Sequence, residues 1–358
     1  MTLREAIGQL FLLGFEGNRS SEPLKAFLSE CNPGGLILFS RNVGSPEEVA
    51  ELTTALQAAT LTPLFIAIDQ EGGRVARLRP PFTEWPSPSV VGAVGSVKLT
   101  YAWGEAMAKE LLAVGINMNM APVLDVQTNP ENPVIGDRSF GADPQMVGQL
   151  GTAFFWGHRD AGVLAVGKHF PGHGDTAVDS HLSLPVVPHE LARLLEVELV
   201  PFIEVIGEGI GALMTAHLLL PALDPERPAT LSAPILTDLL RRRMGFSGLV
   251  MSDDLLMRGI ADTASPGEAA VRFLEAGGDL ILICQDEAAQ REALVGVTEA
   301  VERGRLSEAR IEESRDRIAR AKAHYARQAS FVSYDMLRQV VGCDAHRRLA
   351  ELLLSRAA

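Results

Sequence analysis

Fourteen residues of this chain gather six side chains capable of chemistry. The segment KHFPGHGDTAVDSH (168 to 181) holds Lys168, His169, His173, Asp175, Asp179 and His181 around two glycines and a proline. Desolvating so many polar groups behind an apolar run is costly without a purpose, so the cluster reads as a site and not as turn decoration. One residue separates Asp179 from His181, so in an extended stretch both side chains project to the same side. The carboxylate then orients and charge-stabilises the imidazole, which makes the pair a proton-transfer dyad.

A second reactive group ends the apolar run in GLVMSDDLLMRG (248 to 259), where Asp253 and Asp254 stand side by side. Asp253, nearer the run, is assigned to chemistry, and Asp254 to capping the next helix, a role in which Asp is favoured. Two further segments read as substrate grips. AIDQEGGRVARL (67 to 78) offers Asp69 as an acceptor, Arg74 and Arg77 as forked donors, and Gly72 and Gly73 for a tight turn. VIGDRSFG (134 to 141) adds Arg138.

These residues follow apolar runs that recur along the chain with helical patterns between them: 10 to 15, 35 to 39, 64 to 69, 116 to 122, 163 to 170, 212 to 217, 248 to 254 and 280 to 284. Alternating strands and helices imply parallel pairing, and eight such units close a (β/α)8 TIM barrel. Catalytic groups in that fold come from the C-terminal strand ends, and Asp69, Asp125, Lys168, His169, His217 and Asp253 all sit at such ends. The segment SPEEVAELTTALQAA (45 to 59) predicts a helix, with Ser45 and Glu48 spaced as a capping box. Residues 1 to 326 are expected to form the barrel domain, ending in a charged amphipathic helix over 306 to 326, with 327 to 358 as a helical tail packed outside it. A doubly wound open sheet shares the alternation, but neither GxGxxG nor GxxxxGK[ST] occurs, so nucleotide binding has no support in the sequence.

With 32 basic and 45 acidic residues the net charge is −13, which disfavours a nucleic-acid or anionic membrane partner and suits a small neutral substrate. No stretch approaches the roughly 18 apolar residues of a membrane span, and nothing implies an obligate protein partner. Cys31, Cys284 and Cys343 are odd in number and far apart, and the N-terminus lacks a basic region with a cleavage site, so a cytoplasmic protein is expected. A rival reading treats His169, His173, Asp175, Asp179 and His181 as ligands of a divalent ion in a metal-dependent barrel hydrolase. Metal-dependent barrels usually add a His-x-His pair on an early strand, and the first three runs contain no histidine, so no metal and no cofactor is expected.

Taken together, DQEGGRVARL, NPVIGDRSFG, GKHFPGHGDTAVDSH and VMSDDLLM closely resemble the family 3 glycoside hydrolases, in particular their bacterial single-domain β-N-acetylhexosaminidase branch. The resemblance spans nearly the whole barrel. It implies Asp253 as nucleophile, His181 as acid/base oriented by Asp179, and Asp69, Arg77, Arg138, Lys168 and His169 as sugar contacts, with Arg74 bracing either Asp253 or the turn. It also implies a retaining hydrolase that removes N-acetylglucosamine from peptidoglycan fragments, rather than a sugar-binding barrel without turnover. Two departures stand out. Asp137 occupies a position where many relatives carry Glu. A helical tail stands where many carry a second α/β-sandwich domain, which agrees with an acid/base borne on a loop of the barrel itself.

Overall fold

The computed structural model describes residues 2 to 178, 183 to 326 and 334 to 357; Asp179 and His181 lie outside the described residues. The eight apolar runs become eight parallel strands: β1 (Phe11–Gly14), β2 (Gly35–Leu38), β3 (Phe65–Ile68), β4 (Met118–Asn119), β5 (Leu164–Phe170), β6 (Ala212–Thr215), β7 (Leu249–Met251) and β8 (Ile281–Ile283). Each pairs with the next in chain order, β8 returns to β1 through Phe11 and Ile281, and a bridge between Met251 and Leu280 joins β7 to the start of β8. The sheet is therefore the expected barrel. Its strands are buried along their whole length, which is why they read as continuous apolar runs and not as alternating ones.

The fourth run differs most from expectation. Regular strand is confined to Met118–Asn119, although 116 to 122 is apolar. Pro122 has no N–H to give to a ladder, so pairing with β5 continues only as isolated bonds, such as Lys168 N–H to the Pro122 carbonyl at 3.0 Å. Helix Pro46–Ala58 forms as predicted, with Ser45 Oγ accepting from Glu48 N–H at 3.2 Å and Glu48 returning a bond to Ser45 N–H at 2.8 Å.

The end of the barrel opposite the site is locked by charge. Asp279, just before β8, is fully buried and accepts from Val250 N–H (3.0 Å), Ser314 Oγ (2.8 Å), Arg317 Nη1 (2.9 Å) and Arg241 Nη2. Arg310, Ser314 and Arg317 all belong to helix Glu308–Tyr325, so the predicted amphipathic helix is anchored by its polar residues as well as its apolar face. The C-terminal helices Tyr334–Val340 and Asp344–Ala357 dock through a buried carboxylate, Glu110. It accepts from Thr83 Oγ1 (2.6 Å), Gly342 N–H (3.0 Å) and His346 Nδ1 (2.7 Å).

Asp279→Asn removes the anion shared by Arg241, Arg310 and Arg317 and leaves Glu313, beside Arg310 and Arg317, as their remaining carboxylate among the described residues. Its unfolding free energy should fall by about 3 kcal/mol in a denaturant titration, while turnover of the folded fraction stays within about twofold of wild type, because the cluster lies at the non-catalytic end.

Candidate active site

At the C-terminal rim a cavity of about 360 Å³ opens into the barrel, and Asp69, Arg77, Arg138, Lys168, His169 and Asp253 all line it. The structure thus brings together the six described residues that the sequence singles out. Three elements supply the gripping groups. Asp69 follows β3, and the chain then forms a hairpin of Gln70–Gly72 against Val75–Ala76. Gly72 and Gly73 turn this hairpin at φ of 95° and 57°, and a Cβ on Gly72 would come within 2.4 Å of the Pro86 carbonyl, so no side chain fits there. Lys168 and His169 come from the end of β5, where the Lys168–His169 peptide is cis. Arg138 comes from the loop after β4.

These groups form a chain of alternating charge. Lys168 Nζ sits between Asp69 Oδ1 at 2.8 Å and Glu71 Oε1 at 2.6 Å, and is 3% exposed. Arg77 Nη2 closes on the other oxygen of Asp69 at 3.1 Å, and Arg138 grips Glu71 with two bonds, of 2.7 and 2.8 Å. Burial alone would raise both carboxyl pKa values, but the cations outweigh it: Lys168 and Arg77 hold Asp69 well below the usual carboxylate range, and Arg138 and Lys168 bring Glu71 to about 2. Burial likewise works against the ammonium of Lys168, and its two carboxylates overcome this and push its pKa upward.

His169 is held by Asp125, which is fully buried. The histidine Nδ1–H donates to Asp125 Oδ2 at 2.7 Å, its main-chain N–H reaches Oδ1 at 3.2 Å, and His173 N–H reaches the same Oδ1 at 2.7 Å. This turns His169 Nε2 toward Arg138 Nη2, 3.3 Å away. Burial brings the His173 imidazole down to about 4, so it is neutral near pH 7, with Nδ1 2.7 Å from Thr176 Oγ1. Asp253, two residues past β7, lines the same cavity. Its Oδ1 accepts from Asp254 N–H at 2.8 Å.

Some sequence readings need correction in detail. Asp254 does not cap a helix, because the next one, Arg258–Ala261, starts after Met257. Its Oδ1 instead accepts from Leu256 N–H at 3.1 Å and from Cys284 N–H at 3.3 Å. Arg74 does not reach Asp253. It braces the Arg138 loop, donating to Asp137 Oδ1 at 2.7 Å and to the carbonyls of Val134 and Ile135. Glu71 and Asp125 were visible in the sequence as acids near strand ends but received no role, and they prove to be the supports of Lys168, Arg138 and His169. The metal reading of the histidine loop gains nothing from the geometry. Among the described residues, His169 turns to Asp125, His173 to Thr176 and Asp175 to Thr128 and His189, and no group of three forms a cage.

Comparison with known proteins follows the same lines. The sequence model of the glycosyl hydrolase family 3 N-terminal domain matches residues 2–321. A β-hexosaminidase of Alkalilimnicola ehrlichii is 44% identical over 279 residues, covering 76% of this chain and 80% of that one. Among solved structures, a glycoside hydrolase family 3 β-N-acetylglucosaminidase from Paenibacillus sp. str. FPU-7 superposes with a TM-score of 0.94 at 41% identity, over 100% of this chain and 69% of that one. NagZ from Neisseria gonorrhoeae gives 0.83 at 31% identity, with 98% of both chains covered, and has also been solved with N-trifluoroacetyl-D-glucosamine bound.

The depressed carboxyl of Glu71 has a thermodynamic consequence. A carboxylate with a lowered pKa in the folded state adds stability above its unfolded pKa, and this stability is lost as pH falls toward the folded value. Glu71 therefore adds stability at neutral pH that disappears as the pH falls from its ordinary value near 4.5 toward about 2. Glu71→Gln should be less stable than wild type at pH 7, and the gap should narrow toward pH 2 in parallel denaturant titrations.

Proposed function

Because the chain belongs to family 3 of the glycosyl hydrolases, we propose that it is a retaining β-N-acetylhexosaminidase that releases terminal β-linked N-acetylglucosamine through a covalent glycosyl-Asp253 intermediate. The observation that carries this reading is the cavity itself. A carboxylate at the end of β7 faces a wall of fixed donors and acceptors from Asp69, Lys168, Arg138 and His169, an arrangement suited to sugar hydroxyls.

In the first step an Asp253 carboxylate oxygen attacks the anomeric carbon as the glycosidic C–O bond breaks, and the departing oxygen takes a proton from His181. In the second, His181 removes a proton from water, which attacks the same carbon and frees Asp253. Two displacements retain the configuration. Retaining glycosidases usually employ two carboxyl groups about 5 to 5.5 Å apart. Here the imidazole of His181 takes the place of the second, since a free imidazole, with a pKa near 6.5, can both give and accept a proton near neutrality, with Asp179 orienting it. The wall groups do not react. They hold the ring in register with Asp253, and the C2 acetamide serves as a recognition handle and not as the nucleophile.

The assignment of the natural substrate to peptidoglycan fragments rests on the sequence resemblance. A cytoplasmic setting rests on three widely spaced cysteines, all unpaired. No helix among the described residues is long and apolar enough to cross a membrane.

Asp253→Ala should lower turnover of p-nitrophenyl N-acetyl-β-D-glucosaminide by at least about 1,000-fold, with wild-type activity unchanged in EDTA. Wild-type turnover in the variant, or loss of activity with chelator, would overturn the reading. His181→Ala should spare activated aryl glycosides, which need little protonation, and lose activity on unactivated ones. Proton NMR of the first-formed sugar should show the β anomer before mutarotation sets in; the α anomer would mean inversion.

A further inference from the structure

A buried imidazole that the proposed reaction does not use supports the turn bearing Asp253. His217, two residues past β6, is fully buried, as are Thr215 and Thr230 beside it. Its Nε2 lies 2.9 Å from the main-chain carbonyl of Asp254. A carbonyl oxygen can only accept, so Nε2 carries the hydrogen. On the other side of the ring, Nδ1 lies 2.8 Å from Thr230 Oγ1, which is 2.9 Å from Thr215 Oγ1. A continuous polar chain thus runs from β6 to the turn that follows β7.

That turn has other ties. Met257 N–H also reaches the Asp254 carbonyl, at 3.0 Å, and Asp254 Oδ1 accepts from Leu256 and Cys284 N–H groups. All of these come from the turn itself or from the end of β8. The hydrogen bond from His217 is the one from the β6 side among the described residues, so it fixes the turn in the direction the others leave open. The Asp254 N–H in this turn holds Asp253 Oδ1 at 2.8 Å, and among the described residues no hydrogen bond engages Oδ2.

We propose that His217 is a positioning residue for the nucleophile: by donating from Nε2 to the Asp254 carbonyl, it sets the turn so that Asp253 presents Oδ2 to the anomeric carbon. This rests on the reading of Asp253 as nucleophile. Attack requires the reacting atoms about 3 to 3.5 Å apart and aligned, and an error of about 1 Å can cost about 100-fold in rate.

The test uses three variants. His217→Phe fills the space without a donor. His217→Asn keeps a polar group near Thr230 but is too short to reach Asp254. His217→Gln places an amide N–H where Nε2 lies. On both p-nitrophenyl and phenyl N-acetyl-β-D-glucosaminides, kcat/KM should fall about 100-fold for Phe and Asn by the same factor on each substrate, because a misplaced nucleophile slows the displacement alike for both leaving groups, whereas a lost proton donor slows the poorer one more. Inhibition by N-acetylglucosamine should stay within about threefold of wild type, and Gln should recover at least about tenfold of the loss. If the Phe variant does not fold, the Asn and Gln pair still decides. Wild-type kcat/KM in Asn, or a Gln variant no better than Asn with normal inhibitor binding, would overturn the proposal. So would a loss confined to the phenyl substrate, which would place His217 on the proton-donating side. Wild-type turnover by Asp253→Ala would instead remove the nucleophile reading itself, an outcome distinct from any of these.

Discussion

The site is organised around one buried ammonium. Lys168 is almost wholly withdrawn from water, and an uncompensated charge there would cost several kcal/mol. It is tolerated because Asp69 and Glu71 flank it within 2.8 Å, and each of those carboxylates in turn needs a second cation, Arg77 for one and Arg138 for the other. The consequence is geometric. The hairpin after β3, the loop after β4 and the end of β5 must meet at fixed separations or strand a charge. A wall assembled this way is preorganised, since its donors and acceptors are held in place by their own ion pairs.

The two ends of the barrel use the same physics for different purposes. At the far end Asp279 is surrounded by arginines, and it fastens the helix Glu308–Tyr325 to the barrel floor. At the rim the charges line open space. Charge balance at the floor holds the fold together, and at the rim the same kind of paired charges line a cavity, which is why the rim cluster reads as a site.

Much of this was legible because strand ends in a parallel barrel are marked by an abrupt change from apolar to polar residues. Asp69, Lys168, His169 and Asp253 each stand at such a change and each lines the cavity. Glu71 was harder to assign. It lies within a glycine turn in the sequence, and nothing local reveals that Gln70–Gly72 extends as a hairpin strand that buries its carboxylate between Lys168 and Arg138. Asp125 was obscured by Pro122, which breaks the ladder of the fourth run so that strand alternation no longer predicts which way the acid points. Arg74 carries the same side chain as Arg77 three positions away, yet it faces the Asp137 loop. Choosing between them from sequence alone requires the hairpin register, which a bulge alters.

The two reactive groups in the proposed reaction also differ in how the chain holds them. Asp253 sits on a strand end tied to its neighbours by short main-chain bonds. For His181, the described residues on either side of it are held by hydrogen bonds. On the leading side Asn132 donates to the His173 carbonyl at 2.8 Å and Asn129 to that of Thr176 at 3.1 Å; on the trailing side Val187 N–H reaches the Leu219 carbonyl at 2.9 Å. Asp175 and His189, 2.7 Å apart, join the two sides. An attacking group needs a fixed line of approach to one carbon, and a proton donor must serve first a departing oxygen and then a water. A strand end held by main-chain bonds suits the first demand, and flanks joined through Asp175 and His189 suit the second.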